Sequence, residues 1–180
     1  MRKICPILFL LLSLAAQGQL AIGEWRDHSS FVAAHHLCVG EEQVYAATRM
    51  AMFYYDKEAN STRAMTKQTG LTDVGISTIA YNEAENCLVV AYDNSALDIR
   101  QDGTVSHIAD IRHSGISGDK KIYHVRFHDK KIYLATGFGI VVVDMARKEI
   151  EETYYLGENG TRMTIYDIAF TDSLIVAAID

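Results

Sequence analysis

Hydrophobic residues recur in short apolar runs, and the runs themselves repeat along the chain. Consecutive runs begin 44, 44 and 42 residues apart, at positions 44, 88, 132 and 174. One alanine keeps its place in every run, at Ala47, Ala91, Ala135 and Ala177. A period of this length indicates a repeat protein in which each unit is one supersecondary element.

Each unit predicts four antiparallel strands and no helix. Two apolar strands joined by a tight turn account for segments 44–56, 88–100 and 132–144. In the second, third and fourth units, a strand of alternating residues precedes the pair. The residues that share one face of these strands begin at Ser77, Tyr123 and Tyr166, respectively. A more polar strand follows each pair, at about 62–66, 104–108 and 150–154.

These units predict an all-β fold, a β-propeller of four-stranded antiparallel blades. The inner strands are apolar on both faces because each blade packs between two others, and the outer strand is polar because its edge meets water. The sequence holds about three and a half blades, whereas a closed ring takes about four to eight. We therefore expect residues 19–180 to be the N-terminal part of a propeller domain, truncated in the fourth blade.

The first residues have the order of a secretory signal peptide. Arg2 and Lys3 precede the apolar run 4–14, and small residues follow at Ala15, Ala16 and Gly18. The run is too short to cross a hydrocarbon core of about 30 Å as a helix. The sequence predicts a signal peptide over residues 1–18, no transmembrane segment, and export to the periplasm or the outer-membrane surface.

Composition narrows the class of protein further. Hydrophobic residues make up 49% and charged residues 22% of the chain, which excludes intrinsic disorder. The net charge of −6 argues against a nucleic-acid partner, because phosphates call for a basic surface. Two cysteines follow the signal peptide, Cys38 and Cys87, and we expect two separate buried thiols, although an oxidising compartment permits a disulfide.

The sequence contains few candidates for catalytic or metal-binding residues. His35 and His36 lie near Cys38, and His124 and His128 share a strand face, but zinc sites need three or four ligands at short spacing. We expect these imidazoles to pack between blades. No pair of carboxylates stands out as an acid and a base. The sequence therefore predicts a protein that is not an enzyme, with no catalytic residue, metal or cofactor.

The loops are better candidates for function. In a propeller, the loops between blades and the turns between second and third strands lie at one end, and exposed loops on a rigid scaffold commonly bind partners. The alternative is that they only connect strands. The candidate interaction residues are Arg49, Asp73, Asp93, Asn94, Asp119, Phe138, Glu158 and Arg162.

Segments 44–56 and 132–144 resemble the regulator-propeller repeats of Bacteroidetes. Segments 23–28, 70–82 and 136–144, with Gly118 to Lys121 before the third unit, together resemble the N-terminal propeller of the PorZ family of the type IX secretion system. The resemblance covers nearly all of residues 19–180.

The resemblance implies a non-catalytic scaffold in the machinery that attaches exported proteins to the cell surface. It implies other secretion proteins as partners, with a sortase-like partner and anionic lipopolysaccharide engaged through further domains. The alternative is the periplasmic ligand-sensing propeller of a hybrid two-component regulator. The scaffold would carry a second propeller and a sorting domain after the first propeller, whereas the sensor would carry a membrane-spanning helix and kinase modules.

We expect export to remove the signal peptide after Ala16 or Gly18, because small residues precede the cleavage site. Intact-mass spectrometry of the exported protein should show an N-terminus at Gln17 or Gln19. The precursor synthesised without membranes is the control and should keep Met1. An exported protein that retains Arg2 and Lys3 would contradict the prediction.

Overall fold

The computed structural model describes residues 31–179. The predicted signal peptide over 1–18 and the first part of the predicted propeller domain lie outside the described residues. Within them, three four-stranded sheets and one two-stranded sheet follow one another along the chain, and all strand pairs are antiparallel. The prediction of an all-β fold built from four-stranded blades is confirmed.

The blades follow sequence order, with neighbouring strands paired in turn. Blade 1 consists of β1 His36–Val39, β2 Gln43–Ala47, β3 Met52–Asp56 and β4 Ser61–Met65. Blade 2 consists of β5 Ile76–Asn82, β6 Cys87–Tyr92, β7 Leu97–Gln101 and β8 Thr104–Ile108. Blade 3 consists of β9 Ile122–His128, β10 Lys131–Thr136, β11 Gly139–Asp144 and β12 Glu149–Tyr154. Blade 4 is described as β13 Ile165–Phe170 and β14 Ile175–Ile179.

The second strand of blade 2 shows why the blades stack. Every residue of β6 is buried, and alternate side chains point to opposite neighbours. Leu88 and Val90 pack against blade 1, whereas Val89 and Ala91 pack against blade 3. A third core joins blades 3 and 4 around Ile168. Each blade is therefore held by the apolar surface of the next one.

The first strands β1, β5, β9 and β13 contact one another in sequence, so they lie innermost. The fourth strands lie at the outer edge and carry polar residues, as in β8, where Thr104 and His107 are exposed. This radial arrangement is that of a propeller. No helix among residues 31–179 is long and apolar enough to cross a bilayer.

A β-bulge interrupts the innermost strand in blades 2, 3 and 4. Ser77, Tyr123 and Tyr166 are each skipped in the register with the second strand. The strict alternation predicted from the sequence therefore fails at these positions, because an extra residue shifts the faces. Tyr166 is 44% exposed, whereas Ile168 on the same strand is 1% exposed.

Two short helical turns depart from the prediction of strands alone. A one-turn helix, α1, spans Asp110–His113 after blade 2, and its Ile111 is buried in the core between blades 2 and 3. A 3-10 turn spans Glu158–Gly160 after blade 3. Both lie in loops between blades, where turns shorter than a stable helix leave no periodic pattern in the sequence.

We expect blade stacking to dominate stability, so Leu134→Ala should lower the free energy of unfolding by about 3 kcal/mol through lost burial and a cavity. Leu134 is 0% exposed in the core between blades 2 and 3. Val105→Ala on the outer strand is the matched control and should cost less than about 0.5 kcal/mol. Urea denaturation measures both, and equal losses would contradict the stacking account.

Candidate functional site

The loops that join the blades meet the turns between second and third strands at one end of the blades. We call this surface the loop face; it consists of residues 48–51, 66–75, 93–96, 109–121, 137–138 and 155–164. Main-chain hydrogen bonds hold loops to turns. Ile76 N–H donates to Arg49 O at 2.9 Å, Asp93 N–H to Gly75 O at 2.6 Å, and Gly137 N–H to Lys121 O at 3.1 Å. The predicted grouping of these segments is therefore present in the structure.

Asp73 lies at the centre of a polar cluster on the loop face. The Asn94 amide donates to Asp73 Oδ2 at 2.6 Å. Lys67 Nζ lies 3.5 Å from one carboxylate oxygen, and Arg112 Nη1 lies 3.6 Å from the other. The structure thus brings two of the predicted residues, Asp73 and Asn94, together and adds two cations from neighbouring loops.

The electrostatics of Asp73 reflect this cluster. Burial pushes the pKa of the carboxyl upward, but hydrogen bonds from Val74 N–H and the Asn94 amide, together with the charge of Lys67, outweigh burial and leave the pKa lowered. The ionised form is therefore the stable one in the folded chain. Its contribution to stability is present above the carboxyl's unfolded pKa near 4 and is lost as the pH falls through the folded value.

Arg49 and Asp93 form an ion pair between blades 1 and 2. Arg49 Nη2 lies 3.3 Å from Asp93 Oδ2, and the two side chains are 79% and 37% exposed. An exposed pair of this kind contributes at most about 1 kcal/mol. Both residues therefore remain available to contact a partner.

Asp119 lies in the loop between blades 2 and 3, whereas Glu158 and Arg162 lie in the loop between blades 3 and 4. Asp119 accepts hydrogen bonds from the Tyr123 hydroxyl at 2.6 Å and from Lys121 N–H at 2.9 Å. The bond to Asp119 raises the pKa of Tyr123 to about 12, with burial adding to it. Arg162 Nη1 lies 3.5 Å from Ser117 O, and Glu158 is exposed.

Phe138 departs from its predicted role. The sequence places it in an exposed turn as an interaction residue, but its side chain is 2% exposed. It packs in the core between blades 2 and 3 because the turn folds inward over that core. A buried ring stabilises the turn and cannot contact a partner.

Sequence reasoning missed the main polar network under the loop face. Asp98, in the third strand of blade 2, has a side chain that is 0% exposed. Its carboxylate accepts hydrogen bonds from Thr72 N–H at 2.9 Å and from the Tyr92 hydroxyl at 2.5 Å. His107 Nδ1 lies 2.8 Å away. Through these bonds, Asp98 holds the loop 66–75, which includes Asp73, against blade 2.

A signal for Asp98 is present in the chain. It is a charged residue between the apolar residues Leu97 and Ile99 at the start of β7, and the strand register places Phe53 and Val141 at the equivalent positions of blades 1 and 3. A lone carboxylate in a buried strand must be hydrogen-bonded, because an unpaired buried charge is very costly. Thr72, however, comes from a loop 26 residues earlier in the chain and could not be named as a partner from the sequence.

The network does not have the geometry of a catalytic triad. His107 Nδ1 lies 2.8 Å from both Thr72 Oγ1 and Asp98 Oδ1. A catalytic imidazole must contact the nucleophile and the carboxylate through different ring nitrogens to pass a proton between them. Here one nitrogen faces both groups, so the arrangement fixes the loop in place.

Among residues 31–179, the cysteine thiols are unreactive and no metal-binding cluster is formed. Cys38 and Cys87 are both free, the first half-buried and the second buried. Burial raises the pKa of Cys38 to about 12 and that of Cys87 to about 11, so both thiols are poor nucleophiles. Residues 31–179 contain no group of three or more His, Cys, Asp and Glu side chains that could hold a metal ion.

Comparison with protein families gives one match. Residues 44–179 match the model of the N-terminal β-propeller domain of PorZ, of the type IX secretion system. A comparison with curated proteins found no match.

Solved structures with similar folds include PorZ, an essential bacterial surface component of the type IX secretion system of Porphyromonas gingivalis. It superposes with a TM-score of 0.71 and 25% identity over 80% of this chain and 19% of that chain. This chain therefore spans about a fifth of the length of that PorZ structure.

Two further structures share the fold alone. The extracellular domain of a hybrid two-component system from B. thetaiotaomicron gives a TM-score of 0.64 at 13% identity, over 87% of this chain and 21% of that one. The computationally designed protein Ika4 gives 0.61 at 13% identity, over 84% of this chain and 88% of that one. Identities this low carry no information about ligands.

We expect Asp98→Ala to lower the free energy of unfolding by about 3 kcal/mol, because Tyr92, Thr72 and His107 lose their buried acceptor. Amide hydrogen exchange should also accelerate in residues 66–75, which the carboxylate holds. Asp172→Ala, in the exposed turn between β13 and β14, is the control and should change neither quantity appreciably. Unchanged exchange in 66–75 would show that Asp98 does not position the loop.

Proposed function

The chain belongs to the family of PorZ N-terminal β-propeller domains, and from that premise we propose that it is a non-catalytic, exported scaffold of the type IX secretion machinery. The proposal places it at the cell surface, where its loop face binds other proteins of the attachment machinery. The observation that carries the proposal is the family match over residues 44–179. The solved PorZ structure, described as a surface component, supports the location.

The geometry of the loop face supports a role in protein binding. Hydrogen bonds between loops and turns hold the segments of the loop face together, and the buried Asp98 binds the loop 66–75 through Thr72. The loop face is therefore a rigid surface. Rigid presentation lowers the entropy lost on association. Exposed charges of both signs, including Arg49, Asp93, Glu158 and Arg162, offer electrostatic complementarity to a partner.

The chemistry of the described residues supports a non-catalytic role. The polar network beneath the loop face lacks triad geometry, and burial suppresses the nucleophilicity of Cys38 and Cys87. The buried groups thus stabilise the scaffold. The sortase-like partner and anionic lipopolysaccharide implied by the sequence resemblance remain predictions for the whole protein.

The alternative function, a ligand-sensing propeller of a two-component regulator, has less support than the secretion scaffold. The two-component structure from B. thetaiotaomicron has a similar fold at 13% identity, which is shared by propellers of unrelated function. The family match instead favours the secretion scaffold.

Charge reversal on the loop face tests the proposal. In the full-length protein, Glu158→Lys with Arg162→Glu should reduce co-purification of surface attachment proteins by about tenfold, because reversed rim charges repel a complementary partner. Glu58→Lys with Arg63→Glu, on exposed residues of blade 1 away from the loop face, is the matched control with the same net charge change. Affinity purification with quantitative mass spectrometry measures the loss.

Thermal melting must be equal for both double variants, so that the comparison concerns binding and not folding. Retained partners in the loop-face variant would exclude this surface as the interface. Partners consisting of cytoplasmic signalling modules, in place of secretion proteins, would favour the sensor alternative.

A further inference from the structure

Blade 1 has an apolar face that the other described blades leave exposed. We call it the open face. Its side chains alternate with those that point toward blade 2, and they are Leu37, Val39, Phe53 and Tyr55. Leu37 is 69% exposed and Val39 is 64% exposed. A contiguous apolar surface of this kind marks a place where another segment or molecule binds.

The equivalent positions in the next two blades are covered. The strand register makes Ile79 of blade 2 and Val125 of blade 3 equivalent to Leu37. Both residues are buried, and each packs in the core that its blade shares with the preceding blade. We therefore expect a segment that comes before blade 1 in the chain to cover part of the open face.

The chain reaches the open face at Phe31. The Phe31 ring centre lies 6.2 Å from that of Phe53, with the two ring planes at 72°. In blade 2, Thr72 makes the corresponding contact, because it binds Asp98, which the strand register makes equivalent to Phe53. Phe31 therefore occupies in the first unit the place that Thr72 occupies in the second.

The segment before Thr72 shows what precedes such a contact. The outer strand β4 ends at Met65, seven residues before Thr72. Met65 is buried in the core between blades 1 and 2. Ile108, the last residue of β8, is likewise buried in the core between blades 2 and 3. The apolar residue that ends each of these outer strands therefore packs against the blade that follows.

The sequence contains a matching apolar residue before Phe31. Trp25, the only tryptophan of the chain, comes six residues before Phe31, and Leu20 and Ile22 precede it. An aromatic side chain of this size buries about 150–250 Å² when it packs against an apolar surface. Residues 20–25 follow the predicted signal peptide, which ends at residue 18, so export would leave them in the chain.

From this continuity of the chain we propose that residues 20–25 dock on the open face of blade 1, with Trp25 packed beside Phe31 and Phe53. The docked segment acts toward blade 1 as β4 acts toward blade 2. A second copy of the chain and a distant part of the full-length protein are the other occupants to be tested. The proposal is independent of the protein-binding role of the loop face.

The rate of trypsin cleavage after Arg26, measured by mass spectrometry on the exported full-length protein, tests the docking. Cleavage requires the chain around the bond to open, so its rate reports the population of the undocked segment. Each rate is divided by that of the free peptide 19–31 with the same sequence. The wild-type protein should be cleaved at least about tenfold more slowly than its peptide. Trp25→Ala and Phe53→Ala should each raise this relative rate about fivefold, because each removes an aromatic contact.

Tyr54→Ala is the matched control, because Tyr54 is the next aromatic residue on β3 and packs toward blade 2, and it should leave the relative rate unchanged. A wild-type rate equal to that of the peptide would overturn the proposal. An effect of Phe53→Ala without one of Trp25→Ala would overturn it too, because Phe31 alone would then hold the chain. Equal acceleration by Phe53→Ala and Tyr54→Ala would show only that blade 1 is destabilised, and protection that increases with protein concentration would assign the open face to a second copy; either result would also overturn it.

Discussion

The stacking of one blade on the next is the constraint on which the rest of the structure depends. The second strands of blades 2 and 3 have apolar side chains on both faces, and a neighbouring blade buries each face. In β6, Leu88 and Val90 are buried by blade 1 while Val89 and Ala91 are buried by blade 3. Burying two faces at once requires a neighbour on each side, which sets the blades radially around common innermost strands.

The position of the loops is a consequence of that stacking. Once the blades are fixed, every loop between blades and every turn between second and third strands is at the same end. Short loops then lie close enough to hydrogen-bond, and Asp98 secures one of them from inside blade 2. The buried carboxylate carries a large desolvation cost, which its three partners offset. A polar network of this kind gives the loop one defined conformation.

The loop face is the part of this architecture that the proposed function uses. It presents exposed charges on loops, as protein-binding surfaces on rigid scaffolds commonly do. Membership of the PorZ N-terminal propeller family bears on that role.

The sequence by itself determined the repeat, the four strands of each blade and the apolar inner pair, because alternation and turn chemistry are local properties. It also placed the candidate loops at one end. Only the tertiary structure decided that Phe138 turns into the core, that Asp98 binds Thr72, and that His36 and Lys121 share a cavity. Those facts depend on contacts between blades and on bulges that shift the register, and no local pattern encodes which distant residues will meet.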